Sequence, residues 1–177
     1  MKIEEPKLLT DKSRLREIFD LRVRSYENSP YAQYINYKNA PNGLFDHLDN
    51  SDYSHHWIIE SDHKIIASCR LCMISDLKDI LESFSILNLP QMGNYAFYSR
   101  LVVAKEFRNL GLSHLMDKTR IEFIKTQKSN FLTLALARKD RVRALIELGF
   151  EYISTVKVKM VDQEEVATAL KLRHPKY

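Results

Sequence analysis

The stretch FYSRLVVAKEFRNLGLSHLMDKTRIEFIKTQ, from Phe97 to Gln127, decides how the chain folds. Its early part, residues 98–104, is short and apolar, and such an unbroken apolar run is typical of a strand buried on both faces. A turn over residues 105–111 follows the strand. Apolar side chains then recur every three or four residues, which predicts an amphipathic helix with one buried side.

The turn has the properties of an anion-binding site. A helix N-terminus carries backbone N–H groups without partners and a partial positive charge, so it attracts anions. Gly111 lets a ligand approach the backbone closely, and Arg108 adds positive charge beside it. The residues expected to hold the anion are Arg108, Asn109, Leu110, Gly111, Leu112 and Ser113.

Length and composition set broad limits on the protein. A chain of 177 residues is most simply one domain over residues 1–177, long enough to bury a sizeable core. Hydrophobic residues make up 45% of it and charged residues 28%, which are ordinary globular values. No run approaches the roughly 20 apolar residues that span a bilayer, so no membrane partner is expected. The N-terminus lacks an apolar signal core, which predicts a cytoplasmic protein.

The net charge, 27 − 23 = +4, is mildly basic. Basic and acidic residues are interleaved along the chain, whereas a nucleic-acid-binding protein usually clusters its Lys and Arg on one face. We therefore expect no nucleic-acid partner. A small basic excess also suits a pocket for a polyanionic cofactor, so charge alone does not choose between partners.

The two cysteines, Cys69 and Cys72, are spaced as Cys-x-x-Cys. They lie in an apolar run that predicts a strand, where side chains three positions apart point to opposite faces. A metal or redox site needs both sulfurs together and usually more ligands. Two buried thiols without catalytic function, and no metal site, are therefore predicted.

Local patterns predict alternating helices and strands along the rest of the chain. Apolar spacing indicates helices, alternation indicates strands, and Gly149 is placed to end the helix before it. The expected elements are a helix over 11–28, a hairpin of strands 56–60 and 64–74, a helix or insertion over 76–87, a strand over 131–137, a helix over 142–148, a strand over 152–160 and a terminal helix over 163–172.

Three tyrosines, Tyr31, Tyr34 and Tyr37, recur every three residues before a Pro-Asn-Gly turn. Such a row is commonly partly buried packing. Aromatic side chains also line ligand sites, so Tyr31 and Tyr34 are candidates for the wall of a substrate pocket.

The spacing Arg108-Asn109-Leu110-Gly111-Leu112-Ser113 resembles the (Gln/Arg)-x-x-Gly-x-(Gly/Ala) signature of the GNAT superfamily of N-acetyltransferases, with Ser113 where Gly or Ala is usual. The order of elements and the piece ALIELGFEYI are also similar to that superfamily. The resemblance covers nearly the full chain. It implies an α/β fold with a mixed sheet splayed at its centre and helices on both faces.

This resemblance implies an acyl-CoA-dependent N-acyltransferase. Its simplest form transfers acetyl from acetyl-CoA, or another acyl group from its CoA ester, to a primary amine of a small molecule or peptide by direct attack. In the family the turn amides hold the cofactor's pyrophosphate. A backbone N–H of the central strand, here around Leu101, Val102 and Val103, faces the developing oxyanion.

A second resemblance concerns a GNAT branch, the acyl-homoserine-lactone synthases and N-acyl amino acid synthases. Its Ser-Arg strand looks like Ser99-Arg100 here, and the pieces LRVRSY (21–26), LFD (44–46) and ASCRL (67–71) echo it. The glutamate that usually precedes this pair is Phe97. The branch often takes acyl chains from acyl carrier protein, which makes that protein an alternative partner.

The candidate catalytic residues are Tyr98 and Arg100. Tyr98 could serve as an acid or hold a water that deprotonates the amine, or it could be a sheet tyrosine with a satisfied hydroxyl. Arg100 could orient a carboxylate or phosphate, or pair with a structural acidic residue. The tyrosine that the family often uses to protonate the thiolate is replaced by Leu145. His55 and His56 could act as bases or be inert.

Two alternatives remain open at this stage. The chain could be a GNAT-like module that binds a cofactor or partner without transfer, because the usual tyrosine is absent. The family's last sheet strand could be missing, replaced by the terminal helix, or borrowed from a neighbouring subunit, which would make a homodimer.

Overall fold

The structure is a computed structural model that describes residues 2–27, 32, 43–78, 92–160 and 163–173. Its strands are β1 (Lys7–Leu8), β2 (Ser54–Ser61), β3 (Lys64–Asp76), β4 (Met92–Val103), β5 (Leu132–Ala137), β6 (Glu151–Met160) and β7 (Gln163–Arg173). Its α-helices are α1 (Leu15–Glu27), α2 (Leu112–Lys125) and α3 (Lys139–Glu147).

The strands form one mixed sheet in the order β1-β2-β3-β4-β5-β7-β6. β4 and β5 are parallel, while β1–β2, β5–β7 and β6–β7 are antiparallel pairs. A mixed sheet that carries helices confirms the predicted α/β fold class. Contacts divide the chain into two compact units, one of Met1–Arg70 with Arg100–Arg120, the other of Leu71–Ser99 with Ile121–Tyr177. The single-domain organisation over residues 1–177 stays a prediction.

α1 supplies much of the core of the first unit. The predicted helix over 11–28 is confirmed, with a 3-10 turn at Lys12–Arg14 ahead of α1 and the Asp11 carboxylate accepting the Ser13 N–H at 2.9 Å. This bond caps the first open backbone donors. The apolar side of α1, which follows helical spacing, packs with strand residues into one buried cluster. The cluster contains Leu15, Ile18, Phe19, Leu21, Ile58, Ile65 and Val102.

β2 and β3 are neighbours joined by a tight turn, as the sequence predicts. Asp62 and His63 form the turn and both adopt left-handed backbone angles, with φ of 49° and 64°. Two such residues between strands match the turn geometry that favours a two-residue hairpin. Cys69 and Cys72 are both free thiols and fully buried in β3, so their predicted burial is confirmed.

In the second unit, α3 confirms the helix predicted over 142–148, although it begins earlier, at Lys139. Gly149 follows it with φ of 94°, and its N–H bonds the carbonyl of Ile146 at 2.9 Å. Glycine adopts this left-handed angle without a Cβ clash, so it ends the helix where the sequence indicated.

The C-terminal segment forms a strand, so the terminal helix predicted over 163–172 is wrong. β7 pairs with both β5 and β6, for example with Ala135 opposite Leu170. Ala167, Ala169 and Leu170 are buried within it. Glu, Ala and Leu favour helices locally, but hydrogen bonding to a strand on each side and burial outweigh that small preference.

Both closing strands come from the same chain. The strand predicted over 152–160 is confirmed as β6, and β7 supplies the strand that the sequence left in doubt. The reason for expecting a strand borrowed from a neighbouring subunit, and with it a homodimer, is therefore removed.

Some predictions lie outside the described residues. They include the pocket wall at Tyr31 and Tyr34, and most of the helix or insertion over 76–87. In the ranges that are described, no helix combines the length and the apolar character that crossing a membrane requires.

Candidate functional site at the β4–α2 turn

The predicted strand–turn–helix unit is present and is longer at its start than expected. β4 begins at Met92, a 3-10 turn at Lys105–Phe107 follows it, and α2 begins at Leu112. Between them, Asn109 and Gly111 adopt left-handed backbone angles, with φ of 63° and 76°. Asparagine and glycine are the residues that tolerate this conformation best, which is why the chain can turn sharply here.

The backbone N–H groups of this turn are open. Within the ranges that the structure describes, no N–H from Asn109 to His114 donates a hydrogen bond. The first helical bond is made by Leu115, whose N–H donates to the Gly111 carbonyl at 3.1 Å. The Arg108 N–H differs, because it bonds the Lys105 carbonyl at 3.3 Å. The predicted run of free donors therefore starts one residue later, at Asn109.

Open space lies over the centre of the turn. A Cβ built on Gly111 would meet nothing within 4 Å. The next residue back, Leu110, is 53% exposed, while Leu112 is buried and holds the start of α2 to the core. Left-handed residues alternating with ordinary ones turn successive N–H groups toward one anion, and the dipole of α2 adds to their attraction. The turn therefore has features that favour an anion.

Arg108 holds the turn to neighbouring elements. Its Nε donates to the Val103 carbonyl at 3.3 Å, and its Nη2 donates to the Ser25 carbonyl at 2.9 Å, in the last turn of α1. The residue is exposed, so its charge remains beside the open amides. The predicted cofactor role of Arg108 stays a prediction, and the geometry gives this arginine a structural role as well.

A buried ionic network with arginines from α1 and from the middle of β3 surrounds Asp49. Arg22 donates two bonds to its carboxylate, at 2.8 and 2.9 Å, and Arg70 donates a third at 2.7 Å. Arg22 and Asp49 are both fully buried. Burial alone would raise the pKa of Asp49, but the hydrogen bonds and charge of Arg22 outweigh it, so this pKa is lowered. The carboxylate is held ionised.

Asp46 extends this network to β4. It accepts from Arg70 at 2.5 Å and from Arg100 at 2.6 Å. Burial alone would raise the pKa of Asp46, yet the charges of Arg100 and Arg70 hold it well below its usual range. Its backbone N–H donates to the Asp49 carboxylate at 2.9 Å, which closes a capping box on the 3-10 helix His47–Asn50. One short turn thus places both carboxylates among three arginines.

Arg100 therefore has a structural acidic partner, one of the two alternatives that the sequence left open. Its φ of 54° is left-handed, which is costly for a non-glycine residue within a strand. Its side chain is 22% exposed, whereas that of Arg70 is 2% exposed. Of the two arginines bound to Asp46, Arg100 is the one that solvent or a ligand can reach.

His56 belongs to the same network. Its Nε2 donates to the Asp49 carbonyl at 3.0 Å. Burial lowers the pKa of His56 to about 4, with the nearby charge of Arg22 acting in the same direction. This imidazole is therefore neutral near pH 7. A buried base of such low pKa removes protons poorly from an amine, so the inert alternative describes His56 better.

The candidate Tyr98 and the position of the family's usual tyrosine, Leu145, lie in the second unit. Tyr98 is buried, and its ring packs edge-on against Phe150 with centroids 5.4 Å apart. Its catalytic role stays a prediction. Leu145 is also buried, and its carbonyl accepts the N–H of Phe150 at 3.0 Å. Leucine has no proton to give, so this position cannot protonate a leaving thiolate.

The predicted oxyanion donors lie at the end of β4. Val102 is buried in the α1 cluster, whereas Leu101 and Val103 are half-buried. The N–H of Ala104, just beyond them, donates to the Ile66 carbonyl at 2.8 Å and fixes the end of the strand. The contribution of Leu101, Val102 and Val103 to an oxyanion site stays a prediction.

The sequence reasoning named Arg100 but missed Asp46, Asp49 and Arg22 as parts of the site. A signal was present at Arg70, a charged residue within an otherwise apolar strand. A guanidinium there must be paired if it is buried. The partners come from distant segments, so no local period identifies them.

A strand, a turn with open main-chain donors and a helix within a mixed sheet form the arrangement that the sequence resemblance implied. The model of the Acetyltransferase (GNAT) family matches residues 15–150, and the chain belongs to this family of N-acyltransferase enzymes. No curated protein is similar enough in sequence to be matched.

Solved structures share the fold at low sequence identity. ElaA of Escherichia coli aligns with a TM-score of 0.68 and 13% identity, over 96% of this chain and 99% of that chain. FeeM, an N-acyl amino acid synthase from uncultured soil microbes, aligns with a TM-score of 0.67 and 9% identity, over 97% of this chain and 91% of that chain. BjaI, a CoA-dependent acyl-homoserine lactone synthase, aligns with a TM-score of 0.67 and 15% identity, over 92% of this chain and 77% of that chain.

Proposed function

We infer that the chain transfers an acetyl group from acetyl-CoA to a primary amine of a small molecule or peptide by direct attack. The observation that carries this function is the run of open N–H groups from Asn109 to His114 below the empty space at Gly111. The turn is exposed and stands at the N-terminus of α2, so its open donors and the positive end of the helix dipole are accessible to an anionic ligand.

In this proposal the turn binds the diphosphate of coenzyme A, and its residues Asn109, Leu110, Gly111, Leu112 and Ser113 supply the main-chain donors. The cofactor supplies a thioester that an amine can attack. A main-chain N–H among Leu101, Val102 and Val103 faces the carbonyl oxygen and stabilises the negative charge that develops there. Tyr98 is the group proposed to exchange a proton during transfer, since Leu145 cannot.

Calorimetric titration of coenzyme A tests the binding half of this function. A side chain at position 111 would occupy the open space and be strained at the left-handed angle there, so Gly111→Leu should weaken binding by about tenfold or more. Gly149→Ala is a control for backbone strain, because Gly149 is also left-handed and its Cβ would make only an ordinary contact with Leu172 at 3.5 Å.

The control should lower stability and leave the dissociation constant within about twofold of the wild type. Equal affinities in the wild type and Gly111→Leu would remove the turn as the diphosphate site. Transfer itself is measured as thiol release that depends on an added amine.

A second function is favoured by the network at Asp46. The four pieces that echo the synthase branch contribute Arg22, Asp46, Arg70 and Arg100, and all four side chains belong to this network. The alternative is transfer of a long acyl chain from acyl carrier protein to an amino acid. The exposed part of Arg100 would then face the acceptor's carboxylate.

The two functions differ in their donors. Acetyl-CoA and long-chain acyl carrier protein thioesters are to be compared at equal concentration, with thiol release as the measurement. A preference for acetyl-CoA eliminates the second function. A preference for the carrier-protein thioester, together with retained binding of free coenzyme A, would limit the first function to cofactor recognition.

A further inference from the structure

α2 carries a buried ion pair that plays no part in the site described so far. Asp117 and Arg120, three residues apart on this helix, are 0% and 2% exposed. The Arg120 Nη2 donates to the Asp117 carboxylate at 2.5 Å. Taking two charges out of water is costly, and apolar residues of similar size are often as stable at such positions. The pair therefore calls for an explanation other than stability.

Arg120 also bonds the main chain of β3. Its Nη1 donates to the Arg70 carbonyl at 3.0 Å. One turn earlier on α2, Met116 lies against the preceding residue of β3, with its sulfur 3.6 Å from that of Cys69. Two consecutive residues of β3 thus contact consecutive turns of α2. These contacts fix both the rotation and the axial position of the helix, because a main-chain carbonyl in a strand cannot move without the strand.

The residue that Arg120 binds is itself the centre of the ionic network. The Arg70 guanidinium donates to Asp46 at 2.5 Å and to Asp49 at 2.7 Å, while Asp46 accepts from Arg100 at 2.6 Å. A continuous series of polar contacts therefore runs from the middle of α2 to the accessible Arg100. The N-terminus of the same helix lies at the open amides.

We propose that Arg120, held by Asp117, is a positioning residue that sets the open amides of the β4–α2 turn relative to β3 and the Arg100 network. The proposal rests on the proposed function, since it treats these amides as the diphosphate site. α2 is a stiff rod of about 1.5 Å per residue, so a change at Arg120 displaces its first turn. A displacement of about 1 Å is enough to impair a preorganised site.

The test compares Arg120→Met, which keeps the length of the side chain but loses its charge and its donors, with Arg120→Lys, which keeps one donor group. Arg143→Met is the matched control, because Arg143 is exposed on α3 and, among the described residues, pairs with Glu147 at 2.9 Å. Three quantities are measured for each variant. They are the melting temperature, the calorimetric dissociation constant of coenzyme A, and the ¹H–¹⁵N chemical shifts of the amides at 109–114.

Arg120→Met should weaken coenzyme A binding by about fivefold or more and shift the amide resonances at 109–114. Arg120→Lys should recover part of both effects, and Arg143→Met should change neither. A purely structural role would lower the melting temperature alone, and that result overturns the proposal. If Arg120→Met does not fold, Arg120→Lys and Asp117→Asn are measured instead, and wild-type affinity and shifts in both also overturn it.

Failure of the proposed function gives a different result. If the wild type does not bind coenzyme A, the diphosphate site is wrong. The amide shifts then still report whether Arg120 sets the geometry of the turn, because they need no ligand.

Discussion

The β4–α2 turn and the Asp46–Asp49 network differ in whether their polar groups have hydrogen-bond partners. In the turn, consecutive N–H groups from Asn109 to His114 have no partner within the described residues. In the network, each carboxylate accepts from two arginines. The first region has open donors for a proposed ligand, whereas both carboxylates of the second are already paired with arginines. A polar group that lacks a partner suggests binding, and one with every partner in place suggests support.

The comparison also explains where charge is tolerated. In the proposed function the turn attracts anions with main-chain dipoles, and its side chains from Arg108 to Leu110 are exposed. The network instead buries whole charges, which is favourable only while both signs are present. Substitutions in the network should therefore affect folding, and substitutions in the turn should affect binding. The three predictions that follow test this division.

The largest effect is expected at Asp49. Asp49→Asn removes the negative charge between Arg22 and Arg70 and leaves two buried guanidinium groups undercompensated. The free energy of unfolding should fall by about 3–5 kcal/mol, measured by urea denaturation. Asp52→Asn is the control, because Asp52 is fully exposed and its contact with Lys12 is 3.5 Å long. A loss below about 1 kcal/mol for Asp49→Asn would contradict the importance of the buried pair.

A smaller effect is expected at His56, as a function of pH. Because burial lowers its pKa to about 4, the unfolded state binds a proton between pH 6.5 and 4 while the folded state does not. Stability should therefore fall as the pH drops through this range, by about 3 kcal/mol in total from this group.

His56→Asn should flatten this slope, as measured by urea denaturation at several pH values. His63→Asn is the matched control, since His63 is exposed and left-handed, a conformation that asparagine tolerates. The same slope in the wild type and His56→Asn would show that another group titrates in this range.

The smallest effect on stability is expected at Asn109. Asn109→Val places a β-branched residue at a left-handed angle and should cost about 1 kcal/mol, whereas Asn109→Gly should be close to neutral. Because the amides of the turn form the proposed site, Asn109→Val should weaken coenzyme A binding by more than its effect on folding suggests. Equal affinity of the two variants would show that the backbone conformation at position 109 does not affect coenzyme A binding.

Much of the fold could be predicted because its signals are local. The spacing of Leu15, Ile18 and Phe19 indicates a helix, and Gly149 marks the end of another. The turn at 108–113 could be recognised for the same reason, since its residue types are dictated by the backbone angles at Asn109 and Gly111. Local backbone structure is determined by short stretches of sequence.

The errors arise where distant segments decide the structure. The terminal segment has helical propensity, but its partners β5 and β6 convert it to a strand. The ionic network joins residues 22, 46, 49, 70 and 100, and their proximity exists only after folding. One sequence read alone contains no record of such pairings.

The position of β7 has a consequence for how the chain assembles. β7 lies between β5 and β6 in the sheet, although it follows both along the chain. During synthesis, β6 is therefore made before β7, the only strand among those described with which it pairs. Until β7 is made, the edge of β5 that β7 will pair with stays open. An unpaired edge invites association with other chains. Truncation before residue 163 would remove an internal strand of the sheet, so shortened products of this chain should aggregate.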